Sequence, residues 1–109
     1  MNWQVEFLPE AEKDMGELDG SVKAQVLRGI VKVSRNPLPQ SEGGYGKPLG
    51  NKGNLNLRNL LKIKFRDIGI RVVYKVIRED TIMKILVVSA RTDEKVYKEA
   101  VKRRREYNL

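Results

Sequence analysis

The chain of 109 residues contains no cysteine and no histidine. Without cysteine it can form no disulfide framework and has no thiolate nucleophile. Without either residue type it lacks the usual zinc ligands, so we predict neither a metal site nor a cofactor. Any acid–base chemistry would also proceed without histidine, the residue that most often performs it.

Long apolar runs are missing as well. The N-terminus alternates apolar and polar residues, which is not the pattern of a signal peptide. No stretch approaches the roughly 18 apolar residues of a membrane span. We therefore expect a single domain over residues 1–109 that is cytoplasmic and does not associate with a membrane.

Positive charge is concentrated in the second half of the chain. Residues 1–46 contain five Lys or Arg and seven Asp or Glu, whereas residues 47–109 contain seventeen and seven. Such an excess attracts polyanions, which favours a nucleic acid or an acidic protein as partner. The alternative is a solvated basic surface.

The N-terminal part predicts a strand and two helices. Residues 3–7 alternate at the period of a strand, and Pro9 lies where a helix can begin without losing a needed hydrogen bond. Residues 19–21 (Asp-Gly-Ser) break that helix and offer an N-cap for the next one. Residues 36–54 contain three of the four prolines and five of the nine glycines, which predicts an irregular loop.

The C-terminal part predicts three strands and a helix. Odd positions from Leu55 to Phe65 are apolar except Asn59, which predicts a strand. Two more strands follow over residues 70–77 and 82–88, before a helix capped by Thr92 or Asp93. The elements together predict an α/β (α+β) fold. Its antiparallel sheet would have about four strands, with two N-terminal helices and one C-terminal helix.

The register of the first hairpin follows from its apolar pattern. Residues 66–69 form a plausible turn, and pairing of Phe65 with Ile70 puts the apolar side chains on one surface. Lys64 then faces Arg71, and Lys62 lies beside them on the opposite surface. Directly opposed like charges destabilise a sheet, so their clustering needs an explanation.

Short motifs in the same region resemble those of a known family. They are Lys62-Ile-Lys-Phe65, Gly69-Ile-Arg-Val-Val-Tyr74, Ser89-Ala-Arg91 and Val96-Tyr-Lys-Glu-Ala-Val101. With the order of the elements, they resemble the RelE toxin family of bacterial toxin–antitoxin systems. The resemblance covers nearly the whole chain, is densest from Leu61 to Lys102, and implies a RelE-like microbial RNase fold.

The resemblance implies ribosome-dependent cleavage of mRNA in the ribosomal A site. The ribose 2′-OH would attack the adjacent phosphate, giving a 2′,3′-cyclic phosphate and a 5′-OH. By matching motif positions, Lys62 would be the base, and Lys64 and Arg71 would hold the phosphate and stabilise the transition state. Arg91 would stabilise the leaving oxygen. Tyr97 would stack on or orient a nucleotide.

A lysine base is chemically demanding. Free lysine has a pKa of about 10.4 and is a poor base at neutral pH. Neighbouring cations and desolvation by ribosomal RNA would favour its neutral form. Such a weak site suits an enzyme that acts only after the ribosome has positioned the substrate.

Other interpretations of these residues stay open. Lys62 and Lys64 alone are compatible with ordinary strand lysines that guard an edge, and Tyr97 alone with a core residue. A ParE-like gyrase inhibitor, which binds protein and has no nuclease activity, shares the Gly-x-Arg-x-x-Tyr motif. A basic nucleic-acid-binding module is a third possibility, although exposed aromatics do not interleave with the basic strands here.

The implied partners are the 70S ribosome, mRNA and a cognate acidic RelB-like antitoxin, with operator DNA bound only through the antitoxin complex. Further cations are candidates for contacts with RNA or the ribosome: Lys47, Lys52, Arg58, Lys75, Lys102, Arg103, Arg104 and Arg105. For residues 102–105 the favoured interpretation is a solvated helix face that complements the helix dipole, and contact with ribosomal RNA is the second.

Overall fold

One five-stranded sheet with helices against it organises the chain, in a computed structural model that describes residues 3–50 and 55–109. In chain order the elements are β1 (Gln4–Phe7), α1 (Pro9–Gly16), α2 (Gly20–Val33), a 3₁₀ turn (Gln40–Glu42), β2 (Lys47–Pro48), β3 (Leu61–Phe65), β4 (Ile70–Ile77), β5 (Ile82–Ser89) and α3 (Asp93–Glu106). The predicted mixture of helices and sheet is confirmed.

The sheet is mixed, and the prediction of about four antiparallel strands was wrong in two details. The strand order is β1-β5-β4-β3-β2, and β1 runs parallel to β5. A parallel pair between the two ends of a chain is joined by long connections, so no local turn signal announces it. The fifth strand, β2, has only two residues and lies in the segment predicted as an irregular loop.

The third strand begins later than its apolar pattern suggested. It starts at Leu61 and not at Leu55, because the chain turns at residues 58–59. Asn59 adopts a left-handed conformation with φ of 65°, which asparagine tolerates better than most residues. The residue that interrupts the alternation therefore also ends the extended segment.

The predicted register of the β3–β4 hairpin is confirmed. Phe65 pairs with Ile70 and Lys64 with Arg71, while Lys62 lies two positions along β3 on the same surface as Lys64. Gly69 closes the turn with φ of 67°, a conformation that strains side chains other than glycine. Periodicity alone placed the three cations on one surface of the hairpin.

Two of the helices lie on opposite surfaces of this sheet. Asp19 caps α2 by accepting hydrogen bonds from the backbone N–H groups of Ser21 and Val22. On the apolar surface, Gly29 of α2 meets the Phe65 ring so closely that a Cβ there would clash with Cε1 of Phe65. On the cationic surface, α3 packs through its buried residues.

In the described part of the chain, no helix is both long and apolar enough to cross a bilayer.

A buried hydroxyl anchors the long loop to the sheet. Tyr74 is 0% exposed, and its hydroxyl donates a hydrogen bond of 2.7 Å to the carbonyl of Pro37. Burial raises the pKa of Tyr74 well above its ordinary value, so the phenol remains a donor. Gly46 lies directly against this hydroxyl, where a Cβ would come within 2.6 Å of it. The glycine-rich loop is therefore held at one point of close contact.

An ion pair joins α3 to α1 at the end of the sheet. β1 stops pairing with β5 at Ile85, so the backbone beyond it has no strand neighbour on that side. Arg103 Nη1 donates to the Leu86 carbonyl at 2.8 Å and to Asp14 Oδ2 at 2.7 Å. Asp14 in turn accepts the Val88 N–H at 3.0 Å. The pair thus satisfies backbone groups that a longer β1 would have satisfied.

The placement of Arg103 corrects the prediction for this residue. Arg103 is 9% exposed, which leaves it buried against α1 and β5 and not available to RNA or solvent. Burial opposes its charged form, but hydrogen bonds and charges from Asp14 and Glu99 outweigh that effect and raise the pKa of Arg103.

Candidate functional site

The β3–β4 hairpin and the start of α3 together form a cluster of polar side chains, which we call the cation cluster: Lys62, Lys64 and Arg71 with Asp93 and Tyr97 of α3. The strand residues point to the sheet surface that α3 crosses. Residues 35 positions apart in the chain therefore come into hydrogen-bond contact. The strand periodicity predicted the three strand cations together and the resemblance added Tyr97, whereas Asp93 comes from the structure.

Lys62 and Tyr97 are direct partners. Lys62 Nζ lies 3.1 Å from the Tyr97 hydroxyl and 5.8 Å from the centre of its ring. Tyr97 is 2% exposed, so its ring has no open surface on which a nucleotide could stack. Its hydroxyl can still orient the Lys62 amine, because a phenol donates to a neutral amine and accepts from an ammonium.

Asp93 is the site residue that sequence reasoning did not identify as such. It is the first residue of α3 and follows Thr92, the N-cap. Its Oδ1 accepts a hydrogen bond from Arg71 Nε, and its Oδ2 lies 3.5 Å from Lys64 Nζ. The carboxylate thus explains how two opposed cations are tolerated on neighbouring strands. Asp93 lies two residues after Arg91, which was a signal in the sequence. Interpreting that signal required knowing how α3 docks against the sheet.

The charges around Asp93 determine its protonation. Partial burial disfavours the charged carboxylate, but the hydrogen bond from Arg71 and the charges of Arg71, Lys64 and Lys62 outweigh that effect. The pKa of Asp93 is therefore lowered from its ordinary value. Asp93 is an anion at neutral pH, and it neutralises part of the cluster.

Arg91 joins the cluster through its backbone. Its carbonyl accepts a 2.8 Å hydrogen bond from Arg71 Nη1, and its N–H donates to Ser89 Oγ at 3.1 Å. The Arg91 side chain is exposed to solvent. Arg71 is therefore bonded to Asp93 and to Arg91, on either side of the N-cap of α3.

A depression lies next to the cluster on the hairpin. It has a volume of about 360 Å³ and is lined by Lys64, Arg66 and Arg71, among others. Arg66 is exposed in the turn and was not among the predicted site residues. Three cations around one concave surface could hold a phosphate group.

The predicted outer cations have different environments. Lys47 on β2 pairs with Lys62 on β3 and is exposed, as are Arg58, Lys102 and Arg105. Two others are half-buried and already bonded: Lys75 Nζ donates to the Leu109 carbonyl, and Arg104 Nη1 to the Asn56 carbonyl at 3.4 Å. Burial, with the charge of Arg104, lowers the pKa of Lys75. Lys52 lies outside the described residues.

The donor set of the cluster suits an anion. Its lysine and arginine side chains carry donors only, and a single carboxylate lies among them. Among residues 3–50 and 55–109, no three histidine, cysteine or acidic side chains gather in a way that could hold a metal ion.

The chain is similar over nearly its whole length to toxins named RelE. It is 31% identical over 103 residues to the mRNA interferase toxin RelE of Escherichia coli K12, covering 94% of this chain and 98% of that protein. A free-state structure of Escherichia coli toxin RelE with two arginines changed to alanine has 30% identity and a TM-score of 0.73, covering 94% and 98%. The toxin in the Mycobacterium tuberculosis toxin–antitoxin complex RelBE2 has 27% identity and a TM-score of 0.66, covering 84% and 94%. No family model matches the chain.

Proposed function

Because this chain belongs to the RelE family of toxins, we propose that it is the toxin of a type II toxin–antitoxin pair and an endoribonuclease. Its substrate would be mRNA in the A site of the 70S ribosome, which places its action in the cytoplasm. The observation that carries the proposal is the cation cluster, because its side chains match the demands of phosphodiester cleavage at the positions that the family motifs occupy.

The proposed chemistry gives each residue of the cluster the role that the family motifs imply for it. Lys62 Nζ would take the proton of the ribose 2′-OH, and the resulting oxygen would attack the adjacent phosphorus. The bond from phosphorus to the 5′-oxygen would break, and that oxygen would leave as a 5′-OH after protonation by solvent. Lys64 and Arg71 would stabilise the extra negative charge on the phosphate, and Arg91 the charge on the leaving oxygen.

Tyr97 would act on the Lys62 amine and would not stack on a nucleobase. Its ring is buried, so nucleotide stacking requires a movement of α3, whereas its hydroxyl already lies within hydrogen-bond distance of Lys62 Nζ. A donor that binds the neutral amine favours that form. We therefore assign Tyr97 the role of orienting the Lys62 amine, the proposed general base.

The partner of the toxin would be an acidic antitoxin. The positive second half of the chain provides charge complementarity for it, and the Mycobacterium tuberculosis relative was solved as a toxin–antitoxin complex. Operator DNA would be bound only through this complex. Co-expression with the product of an adjacent acidic reading frame, followed by co-purification, tests this partnership.

Single-turnover cleavage on programmed ribosomes tests the enzyme proposal. Primer extension should show cuts in translated mRNA within the A site, and little cleavage of the same mRNA without ribosomes. Lys62→Ala should slow cleavage by about 100-fold or more, the range for loss of a general base, yet still bind ribosomes. Lys13→Ala, which removes an exposed cation on α1, is the matched control.

The products distinguish the proposal from its alternatives. A 2′,3′-cyclic phosphate and a 5′-OH support attack by the 2′-OH, and an equal rate when another divalent ion replaces part of the Mg²⁺ that holds the ribosome together supports metal-independent chemistry. Rapid, specific cleavage of ribosome-free RNA would refute ribosome dependence. An absence of any cleavage, together with inhibition of gyrase, would establish the ParE-like alternative.

A further inference from the structure

The anion inside the cation cluster occupies the position that a phosphate needs. One carboxylate oxygen of Asp93 accepts a hydrogen bond from Arg71 Nε, and the other lies 3.5 Å from Lys64 Nζ. A guanidinium binds a carboxylate and a phosphate through the same planar fork of N–H donors. Asp93 and a bound phosphodiester would therefore compete for the same two cations.

The first turn of α3 offers a comparison for Asp93. Glu94 is also acidic and complements the helix dipole equally well, but its partner is Lys98 on the same helix, at 3.0 Å. Of these two acids, Asp93 is the one that contacts the sheet, through Lys64 and Arg71. Lys64 and Asp93 have 28% and 27% of their side chains exposed, so a ligand in solution can reach them. The position of Asp93 is thus specific to the cluster and not a general property of the helix start.

We propose that Asp93 is an internal competitor of the scissile phosphate, which must release Arg71 and Lys64 before RNA binds productively. The inference rests on the proposed function, since the ligand is the RNA phosphodiester. A free RNA strand that gains few other contacts does not displace Asp93. An mRNA held in place by the ribosome displaces Asp93, because the ribosome has already ordered the strand and little further entropy is lost on binding. Selectivity for ribosome-bound substrate is then partly encoded in the toxin itself.

Binding of a short RNA that cannot be cleaved measures this competition. The probe is a 2′-O-methyl oligonucleotide with a fluorophore, followed by anisotropy for the wild type, Asp93→Asn and the control Glu94→Gln. Both variants remove one negative charge from the first turn of α3. Asp93→Asn should bind about three- to fivefold more tightly than the wild type, the upper part of the range for one partly exposed ion pair. Glu94→Gln should change the affinity less than about twofold.

The salt dependence of binding provides a second signature. If Asp93→Asn frees cations for one more phosphate, the slope of log K against log salt should steepen by about 0.7. Replacing Arg71 by Gln should abolish most of the gain from Asp93→Asn, because the gain acts through that cation. Should Asp93→Asn fail to fold, as judged by its melting curve, Asp93→Ser replaces it.

The outcomes separate this inference from the proposed function. Equal affinities of the Asp93 and Glu94 variants, or weaker binding after Asp93→Asn, would overturn it and make Asp93 a support for Arg71. A gain for a polyglutamate peptide but not for the oligonucleotide would also overturn it. If Asp93→Asn binds RNA more tightly but the wild type cuts no mRNA on ribosomes, Asp93 is a competitor for the phosphate and the proposed nuclease activity is refuted.

Discussion

Loss of Arg103 should destabilise the protein much more than loss of its exposed neighbour Arg105. Arg103 donates to Asp14 at 2.7 Å, to Glu99 at 2.8 Å and to the Leu86 carbonyl at 2.8 Å. Arg103→Met keeps much of the apolar stem but removes every one of these donors. Asp14 and the Leu86 carbonyl would then lose their cationic donor in a largely water-excluded place.

The size of the effect follows from burial. Breaking a buried ion pair from one side costs about 3–5 kcal/mol. The Asp14 side chain is 18% exposed and the Glu99 side chain 35%, so water recovers part of the loss and the lower end of that range applies. A loss of about 3 kcal/mol is a large share of the 5–15 kcal/mol that typical domains have. The melting temperature should fall by roughly 10–20 °C.

Urea denaturation followed by far-UV circular dichroism measures this difference. Arg105→Met, an equal charge change at an exposed position of α3, should shift the unfolding free energy by less than about 0.5 kcal/mol. Combining Asp14→Asn with Arg103→Met should cost less than the sum of the single changes, because the two side chains are in contact. Equal stabilities of Arg103→Met and Arg105→Met would refute the buried ion pair and restore the solvated helix face predicted from sequence.

Three further predictions concern the cation cluster. Arg91→Ala should slow single-turnover cleavage by about 100-fold and leave the melting temperature unchanged. Arg71→Ala should lower both the cleavage rate and the melting temperature, since the Arg71 side chain bonds Asp93 and Arg91. A stability loss in Arg91→Ala with intact cleavage would contradict the role of Arg91. Because the pKa of Asp93 is lowered on folding, its stabilisation is present above the unfolded pKa of about 3.9 and is lost as pH falls through the folded value. The stability gap between wild type and Asp93→Asn should therefore narrow in acid, and a gap constant down to pH 2 would disprove the ion pairs. The wild-type cleavage rate should rise with pH, because a general base acts in its deprotonated form; a flat profile with chemistry rate-limiting would exclude Lys62 as the base.

Local signals in the sequence determined much of this fold. Capping by Asp19, the left-handed Gly69 and the register of β3 against β4 each depend on residues within a few positions of one another. Strand alternation has a period of two, so it alone assigns Lys62, Lys64 and Arg71 to one surface. The candidate site could be predicted to that extent, and the family motifs supplied the roles.

Burial at the helix surface needed the tertiary structure. Residues 102–105 are four consecutive basic residues, and successive positions on a helix differ by about 100°, so they cannot all face solvent once one side is packed. Arg103 extends the buried stripe of Val96 and Ala100 by one helical turn. That spacing was a usable signal, but charge made the solvated interpretation the natural one, because arginine is rarely buried without a partner. The partner, Asp14, lies 89 positions away.

The sequence by itself thus determined most of the strands, the hairpin turn and the surface on which three cations meet, because short-range geometry sets periodicity and register. Only the tertiary structure decided that β1 pairs with β5, that Tyr97 turns its ring inward, and that Asp93 lies among the cations. The pairing of β1 with β5 joins strands far apart in the chain, and the other two features depend on how α3 docks against the sheet. Docking is the result of packing and ion pairing between residues that are far apart in the chain, and no local pattern encodes it.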